Sequence, residues 1–110
     1  MTLQAVDAEC AAVATAPRVA LADIEAAIAG RYDLTGSKAI GSDAPSFPSL
    51  DVLSICILVM RNGFTVIGKS APASPENFNA GLGRKLAYED CIRQLWPLMG
   101  FALRDKLSGQ

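Results

Sequence analysis

The chain has 110 residues, 51% of them hydrophobic and 19% charged, with a formal net charge of −1 and no histidine. That length holds one domain with a modest core, the composition is globular, and the near-neutral charge argues against an interface with nucleic acid polymers. Without histidine there are no Ser-His or Cys-His nucleophile pairs and no imidazole ligand, so the expectation is a non-enzyme without metal or cofactor.

Residues 1–17, "MTLQAVDAECAAVATAP", read as a weakly ordered leader closed by Pro17. Asp7 and Glu9, with no early Lys or Arg, depart from the basic-then-apolar order of a secretory signal. Residues 18–110 follow as a single domain. Within it, "ALADIEAAIAGRY" spaces Leu21, Ile24, Ala27 and Ile28 at three and four residues, which predicts a helix over about 20–30 stopped at Gly30. Residues 33–49, "DLTGSKAIGSDAPSFPS", are turn-rich throughout and read as a functional or disordered loop.

"LDVLSICILVMRNGFTVIGKS" carries the strongest local signal. Asn62-Gly63 suits a type I′ turn joining strands at about 52–61 and 64–70. With a two-residue loop, Met60 lies opposite Thr65, Val59 opposite Val66 and Leu58 opposite Ile67. Ile55, Ile57, Val59, Val66 and Phe64 then share one face, and Cys56, Leu58, Met60 and Ile67 the other. Both faces are largely apolar, whereas a ribbon open to water on one side alternates apolar with polar. Self-association is the simplest cover for the second face. The longest apolar run, Ile55 to Met60, is far short of the ~20 residues of a membrane span, and a cytoplasmic location is expected.

"SPENFNAGLGRKLAYEDCIRQLW" predicts the main helix over about 75–95, with Ser74 as N-cap and Pro75 at its first position, or with a later start at Asn77. Ala87, Tyr88, Cys91, Ile92 and Leu95 form one stripe, and Leu82 and Leu86 project nearly opposite. Pro97 predicts a bend at Trp96, followed by a last helix over about 98–107. The architecture expected is α+β: a small antiparallel sheet built around one hairpin and packed by helices. Cys10, Cys56 and Cys91 have no paired spacing and read as small hydrophobes.

The carboxylates Asp23, Glu25, Glu89 and Asp90 fall on predicted helices and form no acid–base pair. Residues 69–79 differ, because they connect a strand to a helix N-terminus, where free N–H groups favour an anion. Lys69, Arg84 and Lys85 bring positive charge to that neighbourhood. Ser70, Ser74, Asn77 and Asn79 supply directional donors and acceptors, and Phe64 and Phe78 could stack on a planar ring. Phosphate plus aromatic base describes a nucleotide. The alternative reading makes the Ser and Asn residues caps, Phe78 a core staple and Arg84 a solvated charge. "GLGRK" lacks the spacing of a Walker loop.

The segments "LSICILVMRNGFTVIGKSA", "SPENFNAGLGRKLAYEDCIRQLWPLMGFALRDKL" and "IEAAIAGRYDLT" resemble a family of small tailed-phage and prophage proteins over roughly residues 19 to 107. The likeness rests on "NGFTV-x-G-x-S", "PENF", the "G-R-K-x-A" helix and "W-P-L-x-G". The same pattern is similar to that of the Thoeris anti-defence sponge proteins of phages. The resemblance implies a homo-oligomer in the host cytoplasm that binds a cyclic nucleotide second messenger and releases it intact. Its ligands would be cyclic ADP-ribose isomers made by TIR enzymes, with the cyclic oligonucleotides of CBASS as a further class. Phe64 and Ser74 then correspond to ligand-contacting positions, although Ser74 stands where related sequences often have Asn, and Gly81 where many have an acid.

Together these readings predict a base against Phe64, a phosphate near Arg84 or Lys69, and ribose or base edges on Ser74 and Asn77, with Arg31 beside the long loop. An accessory protein that inhibits a host protein through its apolar sheet face is the alternative. A hydrolase of cyclic nucleotides is a third reading, disfavoured by the missing histidine.

Overall fold

The computed structural model describes residues 2–109; Met1, in the expected leader, and Gln110, at the end of the expected domain, lie outside the described residues. The chain builds an α+β fold from a three-stranded antiparallel sheet of order β1-β2-β3: β1 is Ile28–Thr35, β2 Ser54–Met60 and β3 Thr65–Ser70. Four helices accompany it: α1 (Leu3–Val13), α2 (Leu21–Ala26), α3 (Gly36–Ala39) and α4 (Ala80–Leu107), with 3-10 turns at Pro48–Val52 and Pro75–Asn77.

The helix expected over 20–30 stops at Ala26, and the chain turns directly into β1. Strand β1 pairs with β2 from Ile28↔Met60 to Thr35↔Ser54, with a bulge at Ala29. This long-range ladder overrides the helical spacing of "IEAAIAGRY", as tertiary context does with weak local preferences. The long loop therefore shortens, and α3 and a 3-10 turn occupy part of it. Within the expected leader, α1 forms, capped by the Thr2 hydroxyl, which accepts from the Ala5 N–H at 3.0 Å. Its Asp7 Oδ1 accepts from Arg18 Nη1 at 2.9 Å and from the Leu21 N–H at 3.1 Å, tying it to α2.

The hairpin turn differs from the type I′ expectation. The Met60 N–H donates to the Phe64 carbonyl at 2.8 Å and the Gly63 N–H to the Met60 carbonyl at 2.9 Å. Gly63 has φ +90°, but no non-glycine among the described residues has positive φ, so Asn62 cannot serve a type I′ turn. The loop is the three residues Arg61-Asn62-Gly63, and the register moves by one: Val59 faces Thr65, Leu58 faces Val66 and Ile57 faces Ile67. A one-residue slip exchanges the faces of a whole strand. Val66 and Gly68 thus join Cys56, Leu58 and Met60, while Ile67 and Lys69 join Ile55, Ile57 and Val59.

Helix α4 closes the first of these faces. Ala87, Cys91, Ile92 and Leu95 bury against Cys56, Leu58, Met60 and Val66, with Leu21 and Ile24 of α2 completing the core. Helix and strand meet most closely at Gly68, where a Cβ would overlap the Ala87 carbonyl and come within 2.8 Å of the Cys91 nitrogen. The buried Cys91 thiol donates to the Cys56 carbonyl at 3.4 Å, and burial pushes its pKa up to about 12. On the opposite face Tyr32 and Ile67 remain 60% and 62% exposed. The outer edge of β3 is tied to α4: the Lys69 N–H donates to Asp90 Oδ2 at 3.0 Å, and Gln94 Nε2 to the Ile67 carbonyl at 2.8 Å.

The expected pair of helices, 75–95 and 98–107, is one helix of 28 residues with Pro97 inside it. It starts at Ala80, where Asn79 and not Ser74 is the N-cap, accepting from the Leu82 N–H at 3.0 Å. Pro97 leaves the Arg93 carbonyl without its usual intrahelical donor. Anchors just before the proline carry the helix through: Leu95 is 2% exposed, and Trp96 Nε1 donates to the Val19 carbonyl at 3.2 Å. At 1.5 Å per residue α4 is about 42 Å long, against about 24 Å for β2, so its last turns run beyond the sheet. No helix among the described residues is long and apolar enough to cross a membrane.

Candidate functional site: two clefts around Phe78

Strand β3 ends at Ser70, and the chain returns to α4 through the 3-10 turn, Phe78 and Asn79. Phe78 is half-buried and lines a cleft on each side. The neutral cleft, about 110 Å³, is walled by Ser70, Asn77, Asn79, Leu82 and Leu86. The charged cleft, about 140 Å³, is walled by Asp33, Thr35, Lys38, Ala80 and Arg84. Ser54 lines both. It is 4% exposed. The space above it exists because residue 83 is glycine, whose Cβ would overlap the Ser54 Oγ.

The charged cleft is electropositive for identifiable reasons. Arg84 and Lys38 join no ion pair among the described residues, whereas Asp33 is engaged by Arg31 Nε at 3.1 and 3.3 Å. The Leu82 N–H is consumed by the Asn79 cap, but those of Ala80 and Gly81 have no protein partner among the described residues. The α4 dipole adds partial positive charge at the same place.

The six residues singled out from the sequence do not gather at one point. Asn77 and Arg84 take opposite sides of Phe78. Ser74 is exposed on the loop, caps no N–H and lines neither cleft. Lys69 projects on the open sheet face, away from both clefts. The Arg31 guanidinium lies 4.2 Å from the Tyr88 ring centroid and is paired with Asp33. Burial raises the pKa of that phenol, with Glu25 adding to the shift.

Phe64 lies at the hairpin turn, roughly 20 Å along β3 from Ser70. It is 52% exposed and borders a different groove of about 420 Å³, with Met60, Leu95, Leu98, Met99 and Ala102. Sequence reading missed Lys38, Thr35 and Ser54. Ser54 left a signal, as the polar member of the alternating set Ser54, Cys56, Leu58, Met60; Lys38 left none, since its stretch reads as loop. Among the described residues no group of His, Cys, Asp and Glu side chains could hold a metal ion.

A small α+β protein results, with two shallow clefts where the loop after β3 meets the start of α4. The chain belongs to the phage protein (N4 Gp49/phage Sf6 gene 66) family, which it matches over residues 19–107. That span takes in the whole sheet, both clefts and all but α1 of the helices. No curated protein and no solved structure matches the chain.

Proposed function

We propose that this phage protein binds cyclic nucleotide signals of bacterial immunity and sequesters them uncleaved, as the Thoeris-type resemblance implies. Cyclic ADP-ribose isomers are the first ligand class and cyclic oligonucleotides the second. The observation that carries the reading is the pair of clefts around Phe78: Arg84, Lys38 and the free N–H groups of α4 suit phosphate, while Asn77, Asn79 and Ser70 suit ribose and base edges. Sequestration demands tight binding but no acid–base pair, which accords with a histidine-free chain.

Phe64 cannot reach these clefts within one chain. A base stacked on Phe64 therefore requires a second copy, whose hairpin end approaches the loop end of the first, so the functional unit in this reading is a homo-oligomer with shared sites.

Thermal melting of the purified protein against cyclic ADP-ribose isomers and cyclic di- and trinucleotides tests the proposal. A ligand at 100 times its Kd adds about 2.7 kcal/mol to stability. One ligand class should raise Tm and be recovered chemically unchanged after heat denaturation; recovery as a hydrolysed product would replace the sponge with an enzyme. A flat panel would favour the second reading, inhibition of a host protein through the open sheet face, for which the exposure of Tyr32 and Ile67 speaks. That reading expects a stable hetero-complex and no nucleotide affinity.

A further inference from the structure

We infer that the outer edge of β1 is a docking surface for a second copy of this chain, whose own β1 pairs with it antiparallel about a two-fold axis at Tyr32. This contact does not depend on the nucleotide reading. The edge is open: Arg31, Tyr32 and Asp33 are exposed in succession, and the ties from α4 fall on β3.

The backbone of β1 is oriented for such a joint. The Gly36 N–H donates to the Leu53 carbonyl at 2.9 Å, continuing the ladder past Thr35↔Ser54. Hydrogen-bonded pairs alternate along an antiparallel ladder. Leu34 and Tyr32 therefore turn their N–H and carbonyl groups to β2, and Asp33 and Arg31 turn theirs outward. Those outward groups have no protein partner among the described residues.

Charge then selects the register. Outward groups of one copy must meet outward groups of the other, a condition met by alignments centred on Arg31, on Tyr32 or on Asp33. The first sets Arg31 against its own copy and the last Asp33 against its own copy, and like charges directly opposite destabilise a sheet. Centred on Tyr32, Arg31 of each copy lies opposite Asp33 of the other, and both pairs exchange N–H and carbonyl. That self-complementarity is what a two-fold contact demands. The Arg31 guanidinium is already held at the edge, 4.2 Å from the Tyr88 ring centroid, with its Nε on both Asp33 oxygens at 3.1 and 3.3 Å. On the opposite face the two Tyr32 rings, each 60% exposed, meet at the axis, where a non-hydrogen-bonded pair brings side chains closest. The antiparallel joint sets the hairpin end of each copy beside the loop end of the other.

Cross-linking reads the register. In a Cys10→Ser background, which leaves only the buried Cys56 and Cys91, Tyr32→Cys should form an intermolecular disulfide under mild oxidation. Its paired Cα atoms would lie about 4.5 Å apart, within disulfide reach, whereas those of Asp33→Cys would lie roughly 8 Å apart and should not cross-link. Sedimentation equilibrium of the unmodified chain should show monomer and dimer. Asp33→Arg should weaken the dimer roughly tenfold or more, and Arg31→Asp combined with Asp33→Arg should restore most of it. In the unmodified chain, hydrogen exchange at the Arg31 and Asp33 amides should slow as concentration rises, while the Tyr32 and Leu34 amides stay protected throughout.

A chain that stays monomeric at its highest soluble concentration overturns the proposal and leaves the edge to a strand of another protein. A dimer whose Arg31 and Asp33 amides exchange freely, and whose Tyr32→Cys variant does not cross-link, overturns it as well. The two readings fail separately. If the β1 dimer forms and no cyclic nucleotide binds, the edge contact stands and the sponge falls. If a cyclic nucleotide raises the Tm of a chain that remains monomeric, the sponge stands and the edge contact falls.

Discussion

The two halves of α4 are made from similar residues and meet different surroundings. From Gly83 to Leu95 the helix lies on the sheet, and small residues stand where it comes closest, Gly83 against Ser54 of β2 and Ala87 and Cys91 against Gly68 of β3. From Leu98 to Leu107 it runs past the sheet, and Leu98, Phe101 and Leu107 stand 49%, 71% and 55% exposed. The first half is specified by close contact. The second keeps its helical form from the anchors at Leu95 and Trp96, with a proline between anchor and overhang. Apolar content alone therefore does not mark the core; backbone proximity does.

The sharpest way to break this contrast is at its closest contact. Gly68→Val must force β3 away from the Ala87 carbonyl and the Cys91 nitrogen, both backbone atoms with nowhere to yield. A loss of about 4 kcal/mol or more is expected, the extreme of single-residue effects. Circular dichroism should show a largely unfolded chain; a urea midpoint near that of the parent would mean that helix and strand are farther apart than described.

A paired truncation compares the halves directly. Leu95→Ala should cost about 2–5 kcal/mol as a core deletion, and Phe101→Ala under about 0.5 kcal/mol as an exposed change. Both are read by urea unfolding at low micromolar protein. Equal costs would show Phe101 to be covered in solution by another copy, and the Phe101 cost should then fall on dilution.

Smaller effects probe the ends. Asn79→Ala removes the cap of the packed half and should cost about 1 kcal/mol, measurable as a lower urea midpoint. At the other end of the chain, the Arg18 hydrogen bond, with that of the Leu21 N–H, holds the Asp7 carboxyl below its usual range. A group whose folded pKa is depressed stabilises above its unfolded pKa, and the contribution disappears as pH falls through the folded value. Hydrogen exchange at Leu21 should thus be slowed at neutral pH and lose that protection only below the ordinary carboxylate range near 3.8. Loss of protection already at pH 5 would sink the tether.

The fold class was legible because "SICILVM" alternates between two faces and ends at Asn-Gly. The register was not, because Asn-Gly serves both a two-residue loop and the three-residue loop that takes in Arg61, and the choice inverts all of β3. Strand β1 was hidden behind helical spacing; its pairing with β2, decided by residues some twenty to thirty positions away, has no local trace. Pro97 misled in the other direction, since a local breaking rule yielded to tertiary anchors. At the candidate site, Asn77 and Arg84 were legible from their closeness to a helix start. Ser54 and Lys38 come from separate elements and reach the cleft only through the topology. Phe64 looked adjacent because six intervening residues seem few, but six residues of strand span the sheet.

The two hydrogen bonds from α4 to the outer edge of β3 also decide how copies of this chain can pair by their strands. With Asp90 on the Lys69 N–H and Gln94 on the Ile67 carbonyl, the ladder that edge offers is interrupted. Among the described residues, strand β1 is the edge without such ties. Edge-to-edge joining is therefore favoured between β1 and β1, a two-fold contact complete at two chains, whereas an open-ended fibre needs two different free edges on every molecule. A sheet so arranged can lengthen once, from three strands to six, and stop.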